Sequence, residues 1–125
     1  QEFAEVGVGL GLALYREFSF KLGVAKVGLI VDAGLHANIF ASVNYKPFTL
    51  REVGIFIEAW AALSGYFNPK IGKTKQFELL SVYLYAEAIM RFYPKPAMLY
   101  GKLKGRVRLL KIVSFSLEKD FQIEV

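Results

Sequence analysis

The closing stretch KLKGRVRLLKIVSFSLEKDFQIEV, Lys102 to Val125, decides the fold class. One set of alternate positions reads Lys102, Lys104, Arg106, Arg108, then Ser114, Ser116, Glu118, Asp120, Gln122, Glu124. The other reads Leu103, Val107, Leu109, Val113, Phe115, Leu117, Phe121, Ile123, Val125, a period of two broken mainly by Lys111, Lys119 and the apolar pair Leu110 and Ile112. A period of two marks strands with one dry and one wet face. The polar set is basic in its first half and acidic in its second. A turn near Lys111 folds these halves into a hairpin of strands 97–109 and 112–124. Arg106 then stands opposite Ser116, Lys104 opposite Glu118 and Lys102 opposite Asp120. Such cross-strand pairs contribute roughly 0.2–1 kcal/mol each, less where solvent screens them. Their larger effect is on register, because a one-residue slip would send the apolar set to water.

The alternation continues upstream. Residues 6–15, VGVGLGLALY, place Val6, Val8, Leu10, Leu12 and Leu14 on one side and Gly7, Gly9, Gly11 and Ala13 on the other. Three glycines would weaken a helix by about 1 kcal/mol each, whereas a strand accepts them where another backbone approaches. The G-x-G-x-G spacing lacks the Lys-Ser/Thr and the following helix of a phosphate loop. Residues 18–45 read as two strands, 18–31 and 34–45, with a turn near Asp32-Ala33-Gly34. A connector over 46–52 contains Pro47, and its Thr49-Leu50-Arg51-Glu52 fits a helix capping box. Alternation favours a strand over 53–66, with a helix over 50–64 as the competing assignment. Lys70-Ile71-Gly72-Lys73 reads as an exposed turn. Residues 76–92 alternate Leu80, Val82, Leu84, Ala86, Ala88 and Met90 against Ser81, Tyr83, Tyr85, Glu87 and Arg91. A helical stripe ending at Pro94 competes there too. The sum is an all-β domain spanning 1–125: an antiparallel β-sandwich or small barrel of about seven strands.

Composition bounds the function. The chain has 125 residues, of which 54% are apolar, with eleven Phe, seven Tyr and one Trp. That exceeds the usual range of about 45–50% and leaves more apolar surface than one small core needs. The surplus predicts burial against a neighbouring domain, another copy of the chain, or lipid. The longest uncharged run, Ala33 to Tyr45, is thirteen residues, short of the ~20 of a membrane-spanning helix. Glu2 and Glu5 stand where a signal peptide would be basic. The start on Gln1 predicts a signal already removed or a piece of a longer chain. With no cysteine, disulfides, thiolate metal sites and cysteine nucleophiles are excluded. Net charge is +5. The acid-free basic run from Arg91 to Lys111 reads as a solvated strand face rather than a polyanion stripe, which makes nucleic acid an unexpected partner.

No constellation of residues carries catalysis. His36 is the single histidine and sits among apolar strand residues. No nucleophile-elbow sequence occurs. Trp60, Tyr83, Tyr85 and Tyr93 form a candidate interaction surface, either a sugar-stacking platform or, better, packing against core or neighbour. The expectation is a non-enzymatic protein with no catalytic residue, cofactor or metal. An outer-membrane barrel is disfavoured, because eight strands of 9–11 residues strain this length.

From Val53 onward the order of features is Ile57-Glu58-Ala59-Trp60-Ala61-Ala62-Leu63-Ser64-Gly65, a basic turn, Phe77-Glu78-Leu79-Leu80, a Tyr/Ala-rich strand, Pro94-Lys95-Pro96, Tyr100-Gly101-Lys102 and a final hairpin. This resembles a module near the C-terminal part of very large secreted surface proteins of Bacteroidetes-type bacteria. The connector departs from that pattern, which has Asn between the prolines and Trp after them. The resemblance implies an extracellular or cell-surface structural or adhesive module, self-associating or docked on neighbouring domains. Composition and alternation also resemble the amphipathic sheets of large lipid-transfer and yolk proteins. That likeness implies a sheet that binds lipid or another apolar ligand.

Overall fold

In the computed structural model, residues 3–45, 48–69 and 72–125 are described. Gly23 has φ 63° and occupies the first central position of a two-residue turn closed by Leu22 and Ala25. Glycine is the residue this position demands, since a positive φ there matches the twist of the flanking strands. The turn joins β1 (Phe3–Leu22) to β2 (Ala25–Tyr45). The expected turn at Asp32-Ala33-Gly34 does not form; those residues lie in the middle of β2. Gly34 is small for another reason: a methyl there would collide with the ring of Trp60 on the neighbouring strand.

Four strands follow: β3 (Phe48–Asn68), β4 (Lys75–Arg91), β5 (Met98–Leu109) and β6 (Val113–Glu124). Both segments with a competing helical assignment, 50–64 and 76–92, are strand up to Arg91, and no helix occurs among the described residues. β-Branched and aromatic side chains on a two-sided sheet outweigh the capping-box signal at Thr49. Of the predicted connectors, Lys46 and Pro47, and Lys70 and Ile71, lie outside the described residues.

The strands pair in sequence order as one antiparallel meander, β1-β2-β3-β4-β5-β6. This corrects the expected sandwich or barrel of about seven strands: six strands form one open layer. The miscount has one cause. The segment 18–31, expected as a strand of its own, is shared between the end of β1 and the start of β2. The Gly23 turn divides it. Extra residues enter the ladder between Leu50 and Glu52, opposite Ser42/Val43, and between Glu78 and Leu80, opposite Leu63/Ser64. At the second bulge Leu79 accepts a backbone hydrogen bond from Leu110 in the final turn.

A single layer has no interior. The buried apolar side chains are Tyr66 and Met98, and the buried polar ones Ser42 and Asn44. Most large apolar side chains stay exposed, from Ile112 at 82% to Leu35 at 37%. Cohesion within the layer rests on the hydrogen-bond ladders and on neighbouring side chains of each face.

Candidate functional site: a dry sheet face

Register and alternation together assign the strand residues to a face, the bulge residues Arg51 and Leu79 apart. On one face six consecutive rows cross all six strands. The first is Val6, Ala41, Val53, Met90, Leu99, Ile123, and the second Val8, Ile39, Ile55, Ala88, Gly101, Phe121. The third runs Leu10, Ala37, Ile57, Ala86, Leu103, Lys119; the fourth Leu12, Leu35, Ala59, Leu84, Gly105, Leu117. Leu14, Ala33, Ala61, Val82, Val107 and Phe115 form the fifth, and Arg16, Val31, Leu63, Leu80, Leu109 and Val113 the sixth. Of these thirty-six positions, thirty-four carry an apolar side chain or glycine. The face extends past both ends of this block through Phe18, Phe20, Phe67 and Phe77 on one side and Tyr45, Phe48 and Leu50 on the other.

Strand rise and spacing make the thirty-six-residue block about 1,200 Å² in plan. Monomeric soluble proteins rarely expose contiguous apolar patches beyond a few hundred Å². At about 25 cal/mol per Å², covering the block is favourable by on the order of 30 kcal/mol gross, well above the 5–15 kcal/mol net stability of a whole domain. The field is several times larger than the apolar patch a soluble monomer usually exposes. Alanine beside bulkier neighbours gives it shallow relief. One depression of about 290 Å³ lies among Ile39, Val53, Ile55, Ala88, Met90 and Leu99. An adjoining one of about 280 Å³ lies among Val6, Val8, Ile39, Ala41 and Val53. A third, also about 280 Å³, lies beside Leu12, Leu14, Ala33 and Leu35.

Charge divides between the faces. All ten acids of the described strands, from Glu5 to Glu124, lie on the opposite, polar face. Alternation places three bases on the dry face: Arg16 on edge strand β1, Lys119 on edge strand β6, and Lys75 at the start of β4. They rim the apolar field and meet no carboxylate on their own side.

The polar face is laced by its own contacts. Arg108 donates to both carboxylate oxygens of Glu78, at 2.9 and 3.0 Å. This fork holds the Glu78 carboxyl below its ordinary pKa and the Arg108 guanidinium above its own. Tyr83 donates to Glu58 at 2.6 Å, and that carboxylate, followed by burial, pushes the phenol pKa up. Tyr85 donates to Glu87 at 3.1 Å; burial first and Glu87 second raise its pKa. His36 is exposed, with Nε2 3.4 Å from the Asn38 amide. Aromatic rings cover glycines directly opposite them: Phe40 over Gly54, Trp60 over Gly34 and Tyr66 over Gly28.

The residues singled out from sequence fall on this polar face or at its margin. Lys104 pairs in register with Glu118, Lys102 with Asp120 and Arg106 with Ser116. Among the described residues neither charge pair closes into an ion-pair contact; the Lys104 ammonium instead stands 6.0 Å from the Tyr85 ring centroid. Trp60 faces Tyr83 across the β3–β4 ladder, Tyr85 follows on the same face, and Tyr93 lies beyond β4 in the connector to β5. Trp60, Tyr83 and Tyr85 are thus tied to glycine, glutamate and lysine neighbours. The dry face as a unit was missed in the sequence. Its signal, uncharged alternate positions in every strand, becomes a surface only once the register is known.

Among the described residues no group of three His, Asp or Glu side chains is placed to hold a metal ion. No helix among the described residues is long and apolar enough to cross a membrane. No family model, curated protein or solved structure matches the chain.

Proposed function

We propose that this chain is a lipid-binding β-sheet whose dry face is covered by acyl chains, acting without catalysis in a secreted or cell-surface assembly. The observation that carries the reading is the six-by-six apolar field, unbacked by a second layer and with cations as the charged side chains at its margin. Acyl chains are fluid and make no directional demands. They fill shallow, irregular depressions such as those beside Ile39 and Leu35.

Self-association through the same face is the competing reading, and two arguments weigh against it. A second copy laid face to face brings Arg16, Lys75 and Lys119 of both chains to a dry layer that contains no acid. An uncompensated charge in such a layer costs several kcal/mol. Phospholipid headgroups and water, by contrast, meet rim cations readily, since Lys and Arg stems lie along apolar surface while their heads stay wet. The alternation also resembles the wall of a transmembrane barrel, which is apolar outside and polar inside. That wall needs only ~9–11 residues per strand for a band about 25 Å tall. The apolar set of β2 runs from Val27 to Tyr45, about 60 Å along the strand, which suits a lipid-carrying trough better.

The test is flotation of the purified chain with phosphatidylcholine vesicles, together with native mass spectrometry of the chain as isolated. Co-flotation and retained lipid are expected. A lipid-free monomer that stays at the bottom of the gradient refutes the proposal, and a lipid-free dimer assigns the face to self-association.

A further inference from the structure

The three dry-face cations sit on the perimeter of the apolar field. Arg16 is on one edge strand, Lys119 on the other, and Lys75 at one end. At the same end Lys73 stands just before β4, while Lys21 and Lys26, paired across the β1–β2 ladder, lie on the opposite, polar face. No acid shares the dry face with Arg16, Lys75 or Lys119. Cations at the margin and hydrocarbon in the middle match one ligand geometry: an amphiphile whose tails lie on the field and whose negative headgroup reaches the rim.

We propose that the lipids covering the field are anionic phospholipids, whose phosphates meet Arg16, Lys75 and Lys119 at separate points of the rim. This rests on the lipid-binding reading above and adds the headgroup class. Neutral triacylglycerols or sterol esters would cover the field equally well but leave the rim cations without counter-charge. Zwitterionic lipids supply a phosphate and an opposing ammonium together. A net negative headgroup neutralises the rim without that opposition. Each Lys or Arg near an anionic lipid surface strengthens binding about fivefold, and three together reach about a hundredfold or slightly more before salt screening.

The test compares binding of the chain to phosphatidylcholine vesicles and to 3:1 phosphatidylcholine:phosphatidylglycerol vesicles, at low and high salt. Binding to both, 10- to 100-fold tighter to the anionic vesicles and less so at high salt, is expected. The combined variant Arg16→Gln/Lys75→Gln/Lys119→Gln is expected to lose most of that preference while still binding phosphatidylcholine. The variant Lys102→Gln/Lys104→Gln/Arg106→Gln makes the same change in net charge on the polar face and is expected to keep it. A charge-retaining Arg16→Lys/Lys119→Arg variant guards against loss through misfolding and is expected to behave as the parent. Equal binding to both vesicles overturns the headgroup inference and leaves the lipid reading standing. Binding to neither overturns both. A preference lost in the polar-face variant and kept in the dry-face variant also overturns it, since the wet face would then be the one that meets the membrane.

Discussion

Replacing Ile57 by Glu tests the dry face at its centre. Ile57 lies in the third row, flanked in register by Ala37 and Ala86, and keeps 40% of its surface exposed in the isolated sheet. Full burial of an isoleucine side chain is worth about 1.5–3 kcal/mol, so the part still bare represents about 1 kcal/mol that only an added cover can realise. A charge pressed against acyl chains adds up to about 2–4 kcal/mol, with acids at the lower end. The sum, about 3–4 kcal/mol, predicts lipid binding weakened by two to three orders of magnitude. Stability without lipid should fall far less, by about 1 kcal/mol, because the new carboxylate turns to water. Ala62→Glu, on the polar face between Asp32 and Ser81, supplies the control with the same charge. Vesicle flotation measures the first effect and urea unfolding of the lipid-free chain the second. Unchanged flotation of Ile57→Glu refutes the assignment of this face to lipid. Loss of a dimer with no lipid bound to either protein assigns it to a second copy.

Four further outcomes follow from the polar face and the turns. Gly34→Val should destabilise by about 1–3 kcal/mol through overpacking, because its side chain collides with Trp60; urea unfolding of Gly34→Val/Trp60→Ala should recover part of that loss. Lys111→Gly should stabilise by about 1 kcal/mol, since Lys111 holds φ 58° in the final turn, where a side chain is strained, and thermal melting reads the gain. The Glu78 carboxyl, held low by Arg108, favours the folded state above the unfolded carboxyl's pKa and loses that effect as pH falls through the folded value. Arg108→Gln should return the carboxyl towards its ordinary range in an NMR titration. Tyr83, held up by Glu58, has the opposite sign: its contribution is present below the ordinary phenol range and fades as pH rises through the raised value. Glu58→Gln should therefore lower the alkaline absorbance midpoint of Tyr83.

Period-two alternation carried most of the local structure in plain sight. The closing hairpin is an extreme case, because each half of its polar set has one sign of charge and the turn has few places to fall. The strand at 76–92 was legible from Val82 to Met90 for the same reason. Two features were not legible. The strand expected at 18–31 runs through the Gly23 turn, and the turn between it and 34–45 is expected at Asp32-Ala33-Gly34 because aspartate and glycine together signal turns. Gly23-Val24 carries only one such residue, and Gly34 is small to admit an indole ring from β3, a contact no local window contains. The open layer was also hidden. Apolar alternation is common to sandwiches, barrels and single sheets, and the choice among them depends on whether a second layer exists, which alternation does not encode.

The two faces divide the work of specifying and using this sheet. On the polar face three ring-over-glycine contacts, all between β2 and β3, fix the register of the central ladder: a two-residue slip would set Trp60 over Asp32 or His36 in place of Gly34. The Glu78–Arg108 fork does the same between β4 and β5. Register held mainly from the wet side leaves the dry side with two ring-to-glycine contacts, Phe121 over Gly101 and Phe77 beside Gly65. Its other positions need only be apolar and graded in size, which is how alanine, leucine and valine are distributed there. A face that had to recognise one rigid protein partner would be expected to carry pairing groups of its own. This one carries hydrocarbon and a cationic rim, and a fluid amphiphile asks for nothing more.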